Sequence, residues 1–489
     1  MLRKITLCIS TLCVTSVVQA QQARNFVCPI STDGSAEIHV SLPSNPSGRA
    51  VVCCPGGGYS HLAFQKEGTD WATFFNDRGI ALITLKYRMP EGDLTLPLSD
   101  AYSAMRLVRD SAEVWHINPY DVGIMGSSAG GHLAATVSTH APMDAAPNFS
   151  LLFYPVITMG QGTHEGSACN FLGENRHNPA MIELWSAEKQ VKHYMTPPTL
   201  LLLSNDDRVV PPVENGVAYY SAMRNDGLDC TMHIYSDGGH GWGYADYFKY
   251  KHQMLNDLSL WLERLPQHSP NAVRVSCVGN SITHGHGIDM KSLFGYPAQM
   301  QQMLGEGYWV RNFGYSARTL MNSGNHPYMK ENNWRMAQDF LPNIVVVKLG
   351  TNDTKPENWE PHANEFAADL QAMIDTLKTL PTHPRILLCT PLPAFKESWG
   401  IRDSIIVNCI IPTIRQAAAL NEIEVIDLHS LVDDEKFILP DGIHPNVKGC
   451  TRMAEIIAER IKQDPPTPQQ LKKLKKEAIK NSRKKQRNK

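Results

Sequence analysis

Ser128, Asp207 and His240 are the residues of the N-terminal half whose types and order could carry out acyl transfer. Ser128 is the central residue of Gly126-Ser-Ser-Ala-Gly130, and glycines at these positions allow a sharp strand-to-helix turn that exposes the serine hydroxyl. A histidine that accepts the serine proton, held by an aspartate, makes such a hydroxyl a nucleophile. The sequence therefore predicts a site with Ser128 as nucleophile, His240 as base and Asp207 as acid.

Two neighbouring carboxylates compete for the acid position. Asp206 and Asp207 both follow a predicted strand, Thr199–Ser204, and the end of a strand is where the acid of such a site belongs. The Asp-x-x-Val-Pro spacing, which places Pro211 four residues after Asp207, favours Asp207. Asp206 remains the alternative acid.

A second glycine-rich stretch, Pro55-Gly-Gly-Gly-Tyr59, follows the predicted strand Ala50–Cys54. Because glycine has no side chain, backbone N–H groups here can approach a ligand closely. We expect the N–H groups of Gly57 and Gly58, with that of Ala129, to form an oxyanion hole.

The elements that must position these residues form two α/β series. Apolar runs alternate with helical stretches in both halves, which predicts mostly parallel sheets covered by helices on both faces. The other predicted strands of the first series are Ile80–Tyr87, Val122–Met125, Leu151–Tyr154 and Thr231–Tyr235. Those of the second series are Val273–Val278, Trp309–Phe313, Ile344–Lys348, Ile386–Cys389 and Glu424–Asp427.

The predicted organisation has five parts: a signal peptide at 1–20, a first domain at 21–265, a linker at 266–271, a second domain at 272–463 and a basic tail at 464–489. The signal peptide is indicated by a basic start, a short apolar run and small residues before the predicted cleavage site, so we expect export to the periplasm or the cell exterior. No later run is apolar for long enough to suggest a transmembrane span.

The formal net charge of −2 combines two unlike parts. Residues 470–489 contain ten Lys or Arg and one Glu, whereas the rest of the chain contains 36 basic and 47 acidic residues. Such an acidic body argues against nucleic acid as a partner. The tail is predicted to be a solvated extension, with docking to an anionic surface or polysaccharide as the alternative. Nine cysteines would remain after signal removal, and their spacing does not indicate a disulfide scaffold.

The motifs of the first half resemble the acetylxylan-esterase and feruloyl-esterase-like branch of the α/β-hydrolases over residues 45–265. This resemblance implies the α/β-hydrolase fold and the same triad of Ser128, Asp207 and His240. The stretches that carry it are Pro55–Tyr59, Met125–Leu133, Pro197–Leu200, the Asp207 loop and Gly238–Trp242. Pro55 replaces the histidine of the lipase-like HGGG pattern, which matters little because the donors are backbone groups.

Four blocks of the second half resemble the SGNH (GDSL-type) hydrolases over residues 272–463, and the resemblance implies a flavodoxin-like fold. The blocks are Val278–Gly285, Asn312–Ser316, Lys348–Asp353 and Asp441–Pro445. Asn280 stands where the family has aspartate, which leaves one supporting hydrogen bond in question.

The same resemblance implies a second catalytic site. Ser281 would attack, His444 would act as base and Asp441 would fix the tautomer of that histidine. The N–H groups of Ser281 and Gly314, with the side-chain amide of Asn352, would hold the oxyanion.

His284 and His286 flank a glycine close to Ser281 and suggest a metal pair. Since no third ligand of suitable spacing follows, we interpret them as polar residues at the rim of a pocket and expect neither metal nor cofactor.

Two serine hydrolases in one exported chain suggest complementary action on one substrate. The resemblances imply a bifunctional carbohydrate esterase that removes acetyl, and in some substrates feruloyl, esters from hemicellulose such as xylan. Two alternatives stay open: one domain is a sialate or pectin O-acetylesterase, or one is an inactive carbohydrate-binding module. The oligomeric state is left open.

Overall fold

A computed structural model describes residues 24–487, with side chains over 24–480. The predicted signal peptide lies outside these residues. Within them the chain forms an eight-stranded sheet followed by a five-stranded sheet. No helix in this part of the chain is long and apolar enough to cross a membrane.

The first sheet has the strand order β1-β2-β4-β3-β5-β6-β7-β8. Only the pairings of β2 with β1 and with β4 are antiparallel, and the others are parallel. The strands are β1 Arg24–Pro29, β2 Glu37–Leu42, β3 Ala50–Cys54, β4 Ala81–Lys86, β5 Val122–Ser127, β6 Ser150–Phe153, β7 Thr199–Ser204 and β8 Cys230–Tyr235. The predicted mostly parallel sheet is therefore confirmed.

Burial explains which strands the sequence predicts. All residues of β3, β5, β6 and β7 are buried, as expected for central strands with helices on both faces. The two antiparallel strands β1 and β2 were not predicted. Every second residue of β2 is buried, and a strand that alternates in this way presents a weaker apolar pattern than a fully buried one.

The second sheet is parallel throughout, in the order β10-β9-β11-β12-β13. This is the flavodoxin-like order, so the predicted fold class is confirmed. The strands are β9 Val273–Gly279, β10 Tyr308–Asn312, β11 Ile344–Lys348, β12 Arg385–Cys389 and β13 Glu424–Ile426. The strand order reverses at β9, and ligands of open α/β sheets bind beyond the carboxyl ends of the strands at that point.

Helices cover both faces of both sheets. Those of eight residues or more are α1 Thr95–Asp110, α2 Ser128–His140, α3 Glu165–Leu172, α4 Ala218–Asn225, α5 Lys251–Arg264, α6 Tyr296–Leu304, α7 Asn332–Asp339, α8 Phe366–Lys378, α9 Ile411–Asn421, α10 Val447–Lys462 and α11 Pro468–Arg487. Shorter α-helices are Ala72–Asn76, Ala112–Trp115, Pro179–Trp185, Ser281–His284, Lys291–Phe294, Pro356–His362, Asp403–Ile405 and Leu428–Leu431.

The two halves touch along a polar interface beside residues 266–272, a stretch without helix or strand. Arg274 donates to the Tyr120 hydroxyl at 2.6 Å, and Arg311 donates to the Tyr194 carbonyl at 2.7 Å. The ring of Tyr120 also packs on Trp309, with centroids 5.0 Å apart. The two halves are thus joined by side-chain contacts as well as by the connecting segment.

The basic tail contains a helix rather than only a solvated extension. Helix α11 packs on α9, and Lys475 forms a 3.0 Å ion pair with Glu422. Leu471, Ala478 and Ile479 are half-buried, which matches the near-helical spacing of these apolar residues. The nine cysteines among the described residues are all free thiols.

Candidate active sites

Ser128 is held at a sharp turn between β5 and α2. Its backbone is left-handed, with φ of 54°, a conformation that is unfavourable for a residue with a side chain. The flanking glycines permit the turn, because a Cβ atom on Gly126 would lie 2.1 Å from the Gly130 carbonyl oxygen, and one on Gly130 would lie 2.1 Å from that of Cys54. The residues around the serine therefore fold as the GxSxG pattern requires.

The structure brings the three predicted residues of the first site together. His240 Nε2 lies 2.8 Å from Ser128 Oγ, and His240 Nδ1 lies 2.7 Å from Asp207 Oδ2. The other oxygen of Asp207 accepts the N–H groups of Val209 and Val210, both at 2.9 Å. This geometry suits proton transfer from the serine to a histidine whose tautomer is fixed by the carboxylate.

Asp206 has a different partner. Its Oδ1 accepts the N–H of Gly239 at 2.8 Å, next to the histidine in sequence. Asp206 therefore fastens the loop that carries His240, whereas Asp207 contacts the imidazole itself.

The predicted oxyanion loop lies against the nucleophile. A Cβ atom on Gly56 would lie 2.9 Å from Ser128 Cβ, so the two segments are in direct contact. Gly57 has φ of 135°, and a Cβ there would lie 2.1 Å from the His61 carbonyl oxygen, so a side chain does not fit. Within the described residues, the N–H groups of Gly57, Gly58 and Ala129 have no protein acceptor, as groups that await an oxyanion would.

A buried carboxylate that the sequence analysis missed supports this site. Glu67, only 3% exposed, accepts the Gly56 N–H and the Tyr154 hydroxyl, each at 2.9 Å. Tyr154 in turn accepts the Gly243 N–H at 2.7 Å, and its ring packs against His240 with centroids 4.8 Å apart. Glu67 thus connects the oxyanion loop with the histidine loop. In the sequence Glu67 is one charge in a largely polar segment, and nothing there indicates that its side chain is buried.

The second predicted site begins directly after β9. Ser281 is the first residue of the short helix Ser281–His284, and Asn280 precedes it. The Asn280 side-chain oxygen accepts the Ile282 N–H at 3.3 Å, so asparagine here supplies a cap to the nucleophile helix.

The remaining residues of this set also come together. His444 Nε2 lies 2.7 Å from Ser281 Oγ, and His444 Nδ1 lies 2.9 Å from Asp441 Oδ2. Asp441 Oδ1 accepts the N–H groups of Ile443 and His444 at 2.7 and 2.9 Å. Asp441, three residues before His444, therefore orients it within one tight loop.

The predicted oxyanion donors of the second site differ from those of the first. The Gly314 N–H is engaged, because it donates to Asn312 Oδ1 at 2.9 Å. Asn352 donates one amide N–H to the Arg318 carbonyl at 3.0 Å, which fixes the amide and leaves its second N–H. The role of the Gly314 N–H as an oxyanion donor therefore stays a prediction, and it requires that Asn312 share or release this N–H when substrate is bound.

Burial determines the acid limit that we predict for the second site. Desolvation lowers the pKa of His444 from its ordinary value of 6.5, against the opposing effect of Asp441. A general base must be neutral, so a lower pKa keeps the site active at lower pH. In a Ser128→Ala protein, the acid limb of kcat/KM for 4-nitrophenyl acetate should therefore have its midpoint below 6.5. A midpoint at or above 6.5 would contradict the lowered pKa of His444 and show that the effect of Asp441 outweighs desolvation.

His284 and His286 face different surroundings. The His286 ring lies 4.5 Å from that of His444, at the rim of the second site as expected. His284 instead faces the first domain. One ring nitrogen of His284, one ring nitrogen of His193 and one carboxylate oxygen of Asp226 all lie within 4.8 Å of one another there. Two further side chains that could ligate a metal with His284 therefore lie close to it in space, although they are far from it in the sequence. Lys291 Nζ lies 2.5 Å from both His284 and Asp226, so an ammonium group already lies among them.

Comparisons with known proteins agree with this two-part architecture. Residues 51–243 match the model of the alpha/beta hydrolase fold, and residues 277–452 match that of the GDSL-like Lipase/Acylhydrolase family. An acetylxylan esterase of Xylanibacter ruminicola is 49% identical over 471 residues, which cover 92% of this chain and 98% of that protein. Endo-1,4-beta-xylanase B of Butyrivibrio fibrisolvens is 34% identical over 39% of this chain and 32% of its own length.

Among solved structures, an acetyl ester-xyloside bifunctional hydrolase from Caldicellulosiruptor lactoaceticus matches with 33% identity and a TM-score of 0.43, over 46% of this chain and 87% of that one. The full-length match at 49% identity and the two domain models are sufficient to place the protein. The chain belongs to the acetylxylan esterase family, as a carboxylic ester hydrolase in which an α/β-hydrolase domain precedes a GDSL-like domain.

Proposed function

We propose that this protein is an exported esterase with two independent active sites, which removes acetyl groups from xylan. Ser128, His240 and Asp207 form the first site, and Ser281, His444 and Asp441 form the second. Each serine attacks the ester carbonyl and forms an acetyl-enzyme, while its histidine takes the serine proton and gives it to the departing sugar oxygen. Water then gives a proton to the same histidine and attacks the acetyl-enzyme, and acetate leaves as the serine oxygen takes that proton back.

One observation carries the proposal. In each half of the chain a histidine lies within 2.9 Å of both a serine hydroxyl and a carboxylate, which is the geometry that acyl transfer needs. The substrate class rests on the acetylxylan esterase of Xylanibacter ruminicola, which aligns with both halves. The domain limits 21–265 and 272–463, with the linker 266–271, belong to the same proposal.

The test is acetate release from acetylated xylan. Wild type, Ser128→Ala and Ser281→Ala should all release acetate, and the two single variants should differ in final yield if the sites serve different sugar positions. Chemically deacetylated xylan is the control. A wild-type protein that releases no acetate, yet hydrolyses 4-nitrophenyl acetate, would contradict the substrate and leave the esterase chemistry standing.

A further inference from the structure

His193 belongs to the first domain but contacts the second active site. It lies in the segment before β7, in a turn closed by the Met195 and Thr196 N–H groups, which donate to the Lys192 carbonyl at 3.0 and 2.8 Å. Its side chain is 8% exposed, and its Nε2 lies 2.7 Å from the carbonyl oxygen of Gly314. Because a carbonyl only accepts, Nε2 must carry the hydrogen of this bond.

Gly314 lies in the loop that faces the nucleophile of the second site. A Cβ atom on Gly314 would lie 2.3 Å from the His284 nitrogen and 2.6 Å from the Thr283 carbonyl carbon, so this loop packs directly on the helix that begins with Ser281. From within the second domain, the loop is held by the Tyr328 hydroxyl, which donates to the Phe313 carbonyl at 2.7 Å. The Asn333 side-chain amide donates to the Phe313 and Gly314 carbonyls at 3.3 and 3.1 Å, so the Gly314 carbonyl accepts from both domains, and its bond to His193 at 2.7 Å is the shorter one.

The nucleophile helix contacts the same histidine. The rings of His193 and His284 pack with centroids 4.1 Å apart. His284 Nδ1 also lies 2.6 Å from Ser316 Oγ, which belongs to the loop that contains Gly314, called the Gly314 loop below. The other ring nitrogen of His284, Nε2, lies 2.5 Å from Lys291 Nζ, which forms an ion pair with Asp226 at 2.5 Å. His193 of the first domain therefore contacts both the Gly314 loop and the helix Ser281–His284, whose separation must stay fixed in the second site.

We propose that His193 is a positioning residue of the second active site, so that the first domain completes the hydrolase at Ser281. Together with Asn333 it holds the Gly314 carbonyl, and it alone also packs its ring on His284, so it sets the separation between the Gly314 loop and Ser281. This inference rests on the proposed activity at Ser281.

The expected effect is selective. Displacement of the Gly314 loop weakens its predicted hydrogen bond to the oxyanion, which is strongest in the transition state. We therefore expect kcat to fall while KM stays nearly constant. Misplacement of a catalytic group by an ångström costs up to about 100-fold in rate, and we expect a loss of about 10- to 100-fold. Ser128 is on the other domain, and its site should keep its rate.

The experiment uses full-length protein and 4-nitrophenyl acetate. His193→Ala and His193→Gln are each made in Ser128→Ala, which reports the second site, and in Ser281→Ala, which reports the first. Glutamine keeps an N–H donor that can reach the Gly314 carbonyl, so it should recover most of the lost kcat. His252→Ala, which removes an exposed histidine of α5, is the matched control and should change neither site.

The outcomes separate this inference from the activity on which it rests. If Ser281→Ala removes no activity from the Ser128→Ala protein, the second site itself is wrong. If that site is active but His193→Ala leaves kcat unchanged, the positioning role is overturned. It is also overturned if the loss appears equally at both sites, or if glutamine is as defective as alanine.

Discussion

Replacing Ser128 and Ser281 together by alanine should abolish ester hydrolysis, with kcat reduced by a factor on the order of 10⁴ to 10⁶. Each hydroxyl lies within 2.8 Å of its histidine, and neither histidine contacts the other serine. Alanine keeps the Cβ atom, so the backbone at each position should be unaffected. Hydrolysis of 4-nitrophenyl acetate and the melting temperature of each variant provide the measurement.

The single variants and a covalent label show whether both sites contribute. A fluorophosphonate should add two labels to the wild type and one to either single variant, located by peptide mass spectrometry at the remaining serine. One label on the wild type would contradict the second site and favour the alternative in which one domain only binds carbohydrate. Labelling of the double variant would point to a nucleophile elsewhere.

Asp207→Asn should lower kcat of the first site by about 10⁴-fold, because an amide in this position favours the wrong histidine tautomer. The carboxylate lies 2.7 Å from His240 Nδ1 and accepts two backbone N–H groups that hold it in place. Measurement in a Ser281→Ala protein isolates this site from the other one.

Asp206→Asn is the matched control for that change. It alters the neighbouring residue in the same way, but Asp206 binds the Gly239 N–H instead of the imidazole. An asparagine oxygen can accept the same hydrogen bond, so the rate should stay within about tenfold of the parent. Equal losses in the two variants would contradict the assignment of Asp207 as the acid, and a larger loss for Asp206→Asn would assign that role to Asp206.

The sequence predicts those parts of the molecule that depend on local pattern. Buried central strands such as β3 and β7 are continuous apolar runs, and glycines mark the turn at Ser128 because no side chain fits there. Ser128, Asp207, His240 and Ser281 follow strand ends, and a parallel sheet brings such ends to one edge. Asp441 and His444 instead lie in one loop before α10, and it is their spacing of three residues that indicates them.

Long-range contacts were beyond the same reasoning. Glu67 appears in the sequence as an ordinary charge, and its role depends on a tyrosine 87 residues away. His193 reaches Gly314 across 121 residues and from another domain, so spacing cannot indicate it.

The left-handed backbone at Ser128 sets the two sites apart in evolutionary terms. A residue with a Cβ atom in this conformation destabilises the fold by about 1–2 kcal/mol, and glycine would relieve that strain while removing the hydroxyl. Ser281 begins an ordinary helix and offers no such gain. Under the proposed function, stability and activity therefore oppose each other at position 128 but not at position 281. If selection for either activity were relaxed, a substitution to glycine would be favoured by stability at position 128 but not at position 281. We therefore expect the first site to lose its serine before the second.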